Sequence, residues 1–506
     1  MGWRRWLKIG LFLLVIDGAI LLAVEAGLGW LAPPYHRQVA RSLKPTDRPR
    51  VFVFGESTIY GFPYGPESST ARWLEAILQR VLPEAGVEVV NFGRPARSSH
   101  HLEQAVRETV KLKPAAVILC LGHNEFLARS LALTEGPRHR WCYFHLNTYR
   151  CGFDLLADWR SRQEQTAQAD LGPGIAPDGP LAQRVREQFL VNLEHMIAHC
   201  QSAGVPVLLA IPAANLAWPP MYSPPDPSLS PTDQQRLAAL LAGATAVRRA
   251  GQDPMPLIAK AARLSPRHPA VAHALGWQAR AAGDPAEAER HFTQARDADR
   301  LPFRCQGPFQ EAMRTAAARA GVPCVDLPER FREAAGGPPG MEWFMDNCHP
   351  RPWGQYLMAE AMADGLRQAG WLAPADAWCW EHRPGWNEVA AKLGGDWQRC
   401  ERAAIHRLLL EHPELALEMA ERPPAGVAET DAEWRTYRLL ARFAAGREGE
   451  WTQWVAESDG WPVLSAEQTS TWPTAVRELY GKAQDAASAT GPRRASGTHP
   501  PTTGHE

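Results

Sequence analysis

Apolar positions along the chain follow two rhythms. Short runs that are apolar almost throughout read as buried strands at 50–54 (Arg-Val-Phe-Val-Phe), 87–91, 115–121, 205–211 and 322–326. Between them apolar residues recur three and four apart, which predicts helices at 70–82 (Trp73, Leu74, Ile77, Leu78, Val81), 100–112, 181–203 and 309–320, and another from about 355. Strands without a polar face, alternating with helices, mean an α/β chain with a parallel sheet covered on both sides. Functional residues are then expected at the carboxyl ends of the strands.

Three stretches break this alternation. Residues 130–180 read as loop, a candidate lid over the site, with Cys142 and Cys151 placed for a disulfide. Residues 268–281 and 285–298 read as two antiparallel helices, and Leu275, Gly276, Gly283, Ala286, Ala288, Phe292 and Ala295 among them resemble one tetratricopeptide repeat. A single repeat cannot bury its own face, so 230–266 is expected to supply a degenerate neighbour, and the pair is a candidate docking place for a protein partner. Residues 372–480 read as helical and Trp-rich without visible chemistry, and the Ala/Ser/Thr/Gly/Pro tail from about 484 reads as disordered.

The first residues predict a membrane anchor. Arg4, Arg5 and Lys8 precede an almost wholly apolar run at 9–32. As a helix that run is about 36 Å long, enough to cross a hydrocarbon core of about 30 Å with some tilt. Trp3 and Trp6 stand at one end, Trp30 and Tyr35 at the other, and Pro33-Pro34 ends it. The rival, a cleaved signal peptide, has only Ala-Val-Glu-Ala (23–26) as a site, and the apolar run continues past it. Asp17 and Glu25 interrupt the span. Basic residues flank it on both sides, so charge leaves the orientation open, and the short basic head is what places the body outside the cytoplasm.

Composition narrows the classes. In 506 residues, 54 Lys and Arg stand against 55 Asp and Glu, a net charge of −1, which argues against a nucleic-acid binder held by bulk charge. Nine cysteines at this length are too sparse for a disulfide scaffold. No phosphate-loop motif occurs, so nucleotide hydrolysis has no support.

Each of the first three predicted strands ends in a small polar cluster: Gly55-Glu56-Ser57-Thr58, Asn91-Phe92-Gly93 and Gly122-His123-Asn124-Glu125. Far along the chain lies Asp346-Asn347-Cys348-His349-Pro350, just before a helix. A nucleophilic serine needs a base, and the base needs a group to orient it. An acid three residues before a histidine in one turn can hold the far imidazole nitrogen. The Ser57 and Gly93 backbone N–H groups and the Asn124 amide are the candidate oxyanion donors.

These blocks resemble, in order, those of the SGNH (GDSL-type) hydrolase superfamily: nucleophile Ser57, oxyanion Gly93, Asn124 of the Gly-x-Asn block, and Asp346 with His349 of the Asp-x-x-His block. The resemblance covers about 48–225 and 300–370, with 226–299 inserted between. It implies a flavodoxin-like three-layer α/β/α fold and ester chemistry through an acyl-serine, with no metal or organic cofactor. Glu56 and Glu125 stand where the family usually has Asp. The expected substrate is an ester-bearing small molecule or glycan. An O-acyltransferase that passes the acyl group to a sugar hydroxyl, and a catalytically idle scaffold presenting the repeat helices, are the alternatives.

Other residues read less sharply. His195 and His199 are four apart, but Met196 breaks the zinc-protease pattern, so they are expected to be packed or solvated. His100 and His101 are expected at an exposed helix start, and Arg94 and Arg97 on the surface. Asn215, after the fourth strand, either lines the pocket or makes a turn.

Overall fold

The computed structural model describes residues 17, 19–164, 174–249, 252–393, 397–423, 431–446, 455 and 464–490. Five strands, β1 (Arg50–Gly55), β2 (Glu88–Asn91), β3 (Ala116–Cys120), β4 (Val207–Ile211) and β5 (Cys324–Asp326), form a sheet in the order β2-β1-β3-β4-β5. Every pairing is parallel. This is the doubly wound order in which the chain turns back beside its first strand, and the crevice at that switch point opens where β1 and β3 end.

Helices run in chain order: α1 (19–31), α2 (Tyr35–Ser42), the single turn α3 (Ser57–Tyr60), α4 (Thr70–Val81), α5 (Ser99–Thr109), α6 (Ala128–Glu135), α7 (Pro137–His145), α8 (Asn147–Glu164), α9 (Pro180–Ser202), α10 (Pro231–Arg249), α11 (Met255–Leu264), α12 (Pro269–Ala281), α13 (Pro285–Asp297), α14 (Gly307–Ala320), α15 (Leu327–Ala335) and α16 (Pro352–Gln368). One sheet face, with Phe52, Phe54, Val117, Leu119 and Leu209, packs on Leu102 and Val106 of α5, Phe189 and Leu193 of α9, and Phe309 and Met313 of α14. The opposite face is covered by α4, α15 and α16. The layers are therefore α/β/α, as expected for strands with no polar face.

Several sequence expectations need revision. In the stretch 130–180, residues 165–173 lie outside the described residues, and 130–164 is helical as α6, α7 and α8, with Leu133 and Tyr143 buried among frequent basic residues that obscured the pattern. Cys142 and Cys151 are not joined in a disulfide. The helix Thr474–Thr490 extends into the expected tail, the remainder of which (491–506) lies outside the described residues. Half of the predicted anchor also lies outside them, in 1–16 and 18, and no helix among the described residues is long and apolar enough to cross a membrane.

The chain divides into two compact units, Met1–Leu241 with Leu257–Cys400, and Ala242–Pro256 with Glu401–Glu506. The division cuts the Trp-rich region that the sequence suggested was continuous. Its first part belongs with the sheet: Trp386 stacks on Trp73 of α4 at 5.2 Å, and Trp397 Nε1 donates to Ser68 Oγ at 2.8 Å. In the second unit Trp434 Nε1 donates to the Ala420 carbonyl at 2.8 Å, and Tyr437 lies 5.3 Å from Trp472.

The inserted helices form as a close pair. Asp284 caps α13 by accepting the Glu287 N–H at 3.0 Å, and Phe292 of α13 fills the space left by Gly276 of α12. A Cβ at Gly276 would lie 2.5 Å from the Phe292 ring, which is wholly buried. Leu237, Ala261 and Val271 join α10, α11 and α12 in one cluster. Phe292 and Ala288 also pack on Leu216 and Ala217 after β4. Gly276→Val is therefore expected to force the pair apart at a cost of about 1–3 kcal/mol. A thermal melt should show the lowered midpoint, and turnover of a small ester at a temperature where the variant is folded should be preserved.

Candidate active site

Ser57 stands at the first position of α3, directly beyond β1. Only glycine passes at residue 55, where a Cβ would lie 2.3 Å from Ile59 Cγ1 and 2.6 Å from the Cys120 carbonyl oxygen. The neighbouring strand ends deliver Asn91 and Gly93 after β2, Gly122 to Glu125 after β3, and Asn215 after β4. The Asp346–His349 segment is a tight turn. Met345 N–H donates to the His349 carbonyl at 2.9 Å, and Phe344 and Pro350 bridge antiparallel behind it.

The structure brings Ser57, His349 and Asp346 into one relay. Ser57 Oγ lies 2.8 Å from His349 Nε2, and His349 Nδ1 lies 2.7 and 3.0 Å from the two Asp346 carboxylate oxygens. Asp346 Oδ1 also accepts the backbone N–H groups of Cys348 (3.0 Å) and His349 (2.9 Å), so the carboxylate is fixed before it meets the ring. Phe62 leans over the imidazole with ring centres 4.8 Å apart. Burial opposes a charged His349, but the Asp346 carboxylate outweighs it and holds the imidazole well above its ordinary pKa. Burial opposes a charged Asp346 too, and His349 with the two backbone donors brings that carboxyl down to about 2. Ser57 can thus donate its proton to Nε2 while Nδ1–H donates to Asp346, the tautomer nucleophilic catalysis requires.

The oxyanion donors are less simply arranged than the sequence suggested. Gly93 closes against α3, where a Cβ would lie 2.4 Å from Tyr60 N, but its N–H donates to Asn91 Oδ1 at 2.8 Å. Asn91 is itself held by the Ile59 carbonyl at 3.0 Å. The Asn124 amide donates one N–H to the Arg97 carbonyl at 2.9 Å. One expected donor is thus engaged and a second is half engaged, each by a protein acceptor at the crevice.

Asn215 belongs to the turn, not the pocket. It is fully buried, its N–H donates to the Asn347 carbonyl at 3.0 Å, and its side-chain amide donates to the Asp346 carbonyl at 3.0 Å. Its Oδ1 accepts the Trp218 N–H at 3.1 Å. The amide nitrogen and the backbone N–H thus seat the Asp346 turn, while Oδ1 holds the loop after β4.

Four residues matter that the sequence reading passed over or left as replacements. Asn91 is the acceptor on Gly93. Glu56, wholly buried, accepts the N–H groups of His123 (2.8 Å) and Asn124 (3.2 Å), stitching the end of β3 to the nucleophile. Glu125 accepts the N–H and hydroxyl of Ser99, each at 2.8 Å, and so anchors the start of α5. Burial pushes both carboxyls up, and for Glu56 the nearby Glu125 charge adds to it. His123 accepts the Cys305 N–H on Nδ1 at 3.0 Å, leaving a buried Nε2 without a partner among the described residues. Burial and the neighbouring His349 push its pKa down to about 3, so it stays neutral beside the relay. Its place between the glycine and asparagine of the third block was the only signal.

The remaining candidates sort plainly. His100 is buried, not exposed, with Nε2 at 3.0 Å from Thr134 Oγ1, because α6 folds over the start of α5. Arg94 is exposed over the Tyr35 ring, whereas Arg97 is partly buried, donating to Tyr143 Oη at 3.0 Å. His199 pairs with Glu103 at 3.1 Å. Metal-ligand atoms cluster at Asp346, Cys348 and His349, and again at Cys379, Glu381 and His382. In the first group the carboxylate and imidazole are already bonded to each other, and in the second Glu381 and His382 are exposed.

Loss of the Asn215 clamp should displace the turn without touching substrate. Asn215→Ala is expected to lower kcat by about 10²-fold with KM little changed, the size of effect a displacement of about 1 Å can have. Steady-state kinetics on a small ester, beside a melt showing the variant folded, would check it.

Residues 53–295 match the family model of the GDSL-like lipase/acylhydrolases. The match spans just under half of the chain, runs through the inserted helices, and ends before Asp346. No curated protein matches the chain. Among solved structures, similarity extends to a protein assigned to the G-D-S-L lipolytic family from Desulfitobacterium hafniense (13% identity, 63% of this chain and 99% of that one, TM-score 0.30). An α/β hydrolase from the Lake Arreo metagenome (14%, 63% and 94%, 0.31) and an acetylxylan esterase from Geobacillus stearothermophilus (13%, 63% and 94%, 0.32) are also similar. All three scores lie below 0.5, so the fold assignment stands on the sheet order and layers described above. What the family model recognises over residues 53–295 is a GDSL-like lipase/acylhydrolase domain, and the chain is accordingly a hydrolase acting on ester bonds.

Proposed function

We propose that the chain is a membrane-anchored serine esterase whose body lies outside the cytoplasm and which removes acyl or acetyl groups from a small molecule or glycan. The observation that carries the catalytic part is the 2.8 Å approach of Ser57 Oγ to His349 Nε2, with Asp346 behind the ring. The apolar run at 9–32 carries the anchor.

In this reading Ser57 Oγ attacks the ester carbonyl carbon as its proton passes to His349 Nε2, and Asp346 stabilises the imidazolium. The Ser57 N–H and the second N–H of the Asn124 amide receive the developing oxyanion. The Gly93 N–H joins them by exchanging Asn91 Oδ1 for the charged oxygen, the stronger acceptor. His349 then protonates the leaving alkoxide, leaving an acyl-serine. Water, deprotonated by the same imidazole, attacks the acyl carbon and releases the acid and free Ser57.

A fluorophosphonate should label the wild-type chain and leave Ser57→Ala unlabelled. Labelling of the variant would remove Ser57 from its role. Asn124→Ala should lower kcat by about 10²–10³-fold, since an oxyanion donor acts mainly in the transition state. The base must be neutral, and His349 is held above its ordinary value, so kcat/KM should rise with pH through an apparent pKa well above 6.5. In Asp346→Asn the residual activity should show that limb displaced to lower pH. Initial rates with a p-nitrophenyl ester across pH, corrected for spontaneous hydrolysis, measure both.

A further inference from the structure

The first turns of α8 turn large apolar side chains outward. Tyr149 and Leu156, seven apart and so on one face, are 41% and 45% exposed, and Leu155 beside them is 72% exposed. Asp154 on the other side turns inward, accepting from Tyr143 Oη at 3.0 Å and pairing with Arg129 at 3.2 Å. Trp141 of α7 is also exposed, stacked on His145, with Arg138 exposed beside it. Aromatic and aliphatic residues outward with basic neighbours are the composition of a segment lying in a lipid interface.

The same helix is fastened to α1, the described end of the apolar run. Glu25 accepts the Thr148 N–H at 2.9 Å and the Thr148 hydroxyl at 2.8 Å, and also bonds the Asn147 N–H, so it closes the open amino end of α8. Gly29 permits the approach: a Cβ there would lie 2.7 Å from Asn147 Nδ2. Arg150 donates to the Ala32 carbonyl. Beyond these contacts α1 leaves Leu21, Leu22, Trp30 and Leu31 largely exposed, as α7 and α8 do Trp141, Leu155 and Leu156.

We propose that α7 and α8 form a second membrane contact, lying in the interface of a phospholipid bilayer on the side of the catalytic body and held there by Glu25. Depth agrees with this. Glu25 precedes Ala32, where the apolar run ends, by seven residues or about 10 Å of helix. That places the start of α8 at the depth interfacial helices reach, about 5–10 Å below the headgroups. It also gives an acid inside the apolar run its partners. The contact reaches the site through Tyr143, which accepts from Arg97, whose carbonyl holds the Asn124 amide. The inference rests on the anchor reading, which the experiment tests separately.

The full-length chain would be reconstituted in nanodiscs of phosphatidylcholine and phosphatidylglycerol carrying a diazirine-tailed phosphatidylcholine, photolysed, and mapped by mass spectrometry. Lipid adducts are expected both on peptides from 9–32 and on peptides from 137–156. Leu155→Glu with Leu156→Glu should lose the second set while keeping the first, with turnover of a soluble ester unchanged. Adducts confined to 9–32 in the wild type would overturn the α7–α8 contact and leave the anchor standing. Absence of adducts from both segments would overturn both.

Discussion

One hydrogen bond, between Ser57 and His349, joins residues 292 apart in the chain, and the catalytic reading depends on it. Closing a loop of that length costs about 5 kcal/mol of chain entropy beyond a constant, while a single hydrogen bond returns only about 1 kcal/mol. The relay therefore cannot hold itself together. The sheet does so, by seating β4 between β3 and β5, and α16 does so from behind. Gln355 of α16 is fully buried, bonded to the Thr70 hydroxyl and donating to the Thr58 carbonyl at 3.3 Å. The helix that follows His349 is thus bolted to the turn that carries Ser57. Asn215 seats the other side of the Asp346 turn, so the imidazole arrives in one orientation.

The carboxyl edge of the sheet is unusually polar for a buried place. Glu56 and Glu125 lie inside it, and burying acids is unfavourable unless hydrogen bonds compensate. Here the bonds come from backbone N–H groups at the end of β3 and the start of α5, which would otherwise be unpaired at the crevice. The longer side chains explain why glutamate stands in both positions: each carboxylate spans from one strand end to the next element, Glu56 from β1 to the β3 end and Glu125 from the β3 end to α5. The placement of Asn124 is therefore set by Glu56, a residue outside the Ser57–His349–Asp346 relay.

The insertion between β4 and β5 leaves the sheet intact because its ends meet at the post-β4 loop. Arg304, almost wholly buried, donates to the Asn215 and Trp218 carbonyls at 2.6 and 3.0 Å, so the chain returns from the inserted helices beside the point where it left. The active-site turn and the insertion consequently share a wall, although the repeat-like pair has its own packed interior around Phe292.

Local pattern determined much of this protein. Apolar runs marked all five strands, most directly β1, β3 and β4, which are buried on both faces, and the spacing of Trp73, Leu74 and Ile77 marked α4, because buried faces leave direct traces in the chain. Order along the chain also marked Ser57, Gly93, Asn124, Asp346 and His349 as one set. Three-dimensional packing decided the rest. Whether Asn215 lined a pocket or held a turn depended on partners more than a hundred residues away. The helices of 128–164 were hidden by basic residues, among them Arg129 and Arg140, that pair with Asp154 and Gln188 in space. Asn91 on the Ile59 carbonyl, and Glu56 beneath the third block, are hydrogen bonds between elements that follow different strands. Periodicity records which face of an element is buried, but it carries no information about which polar atoms meet once the elements are assembled.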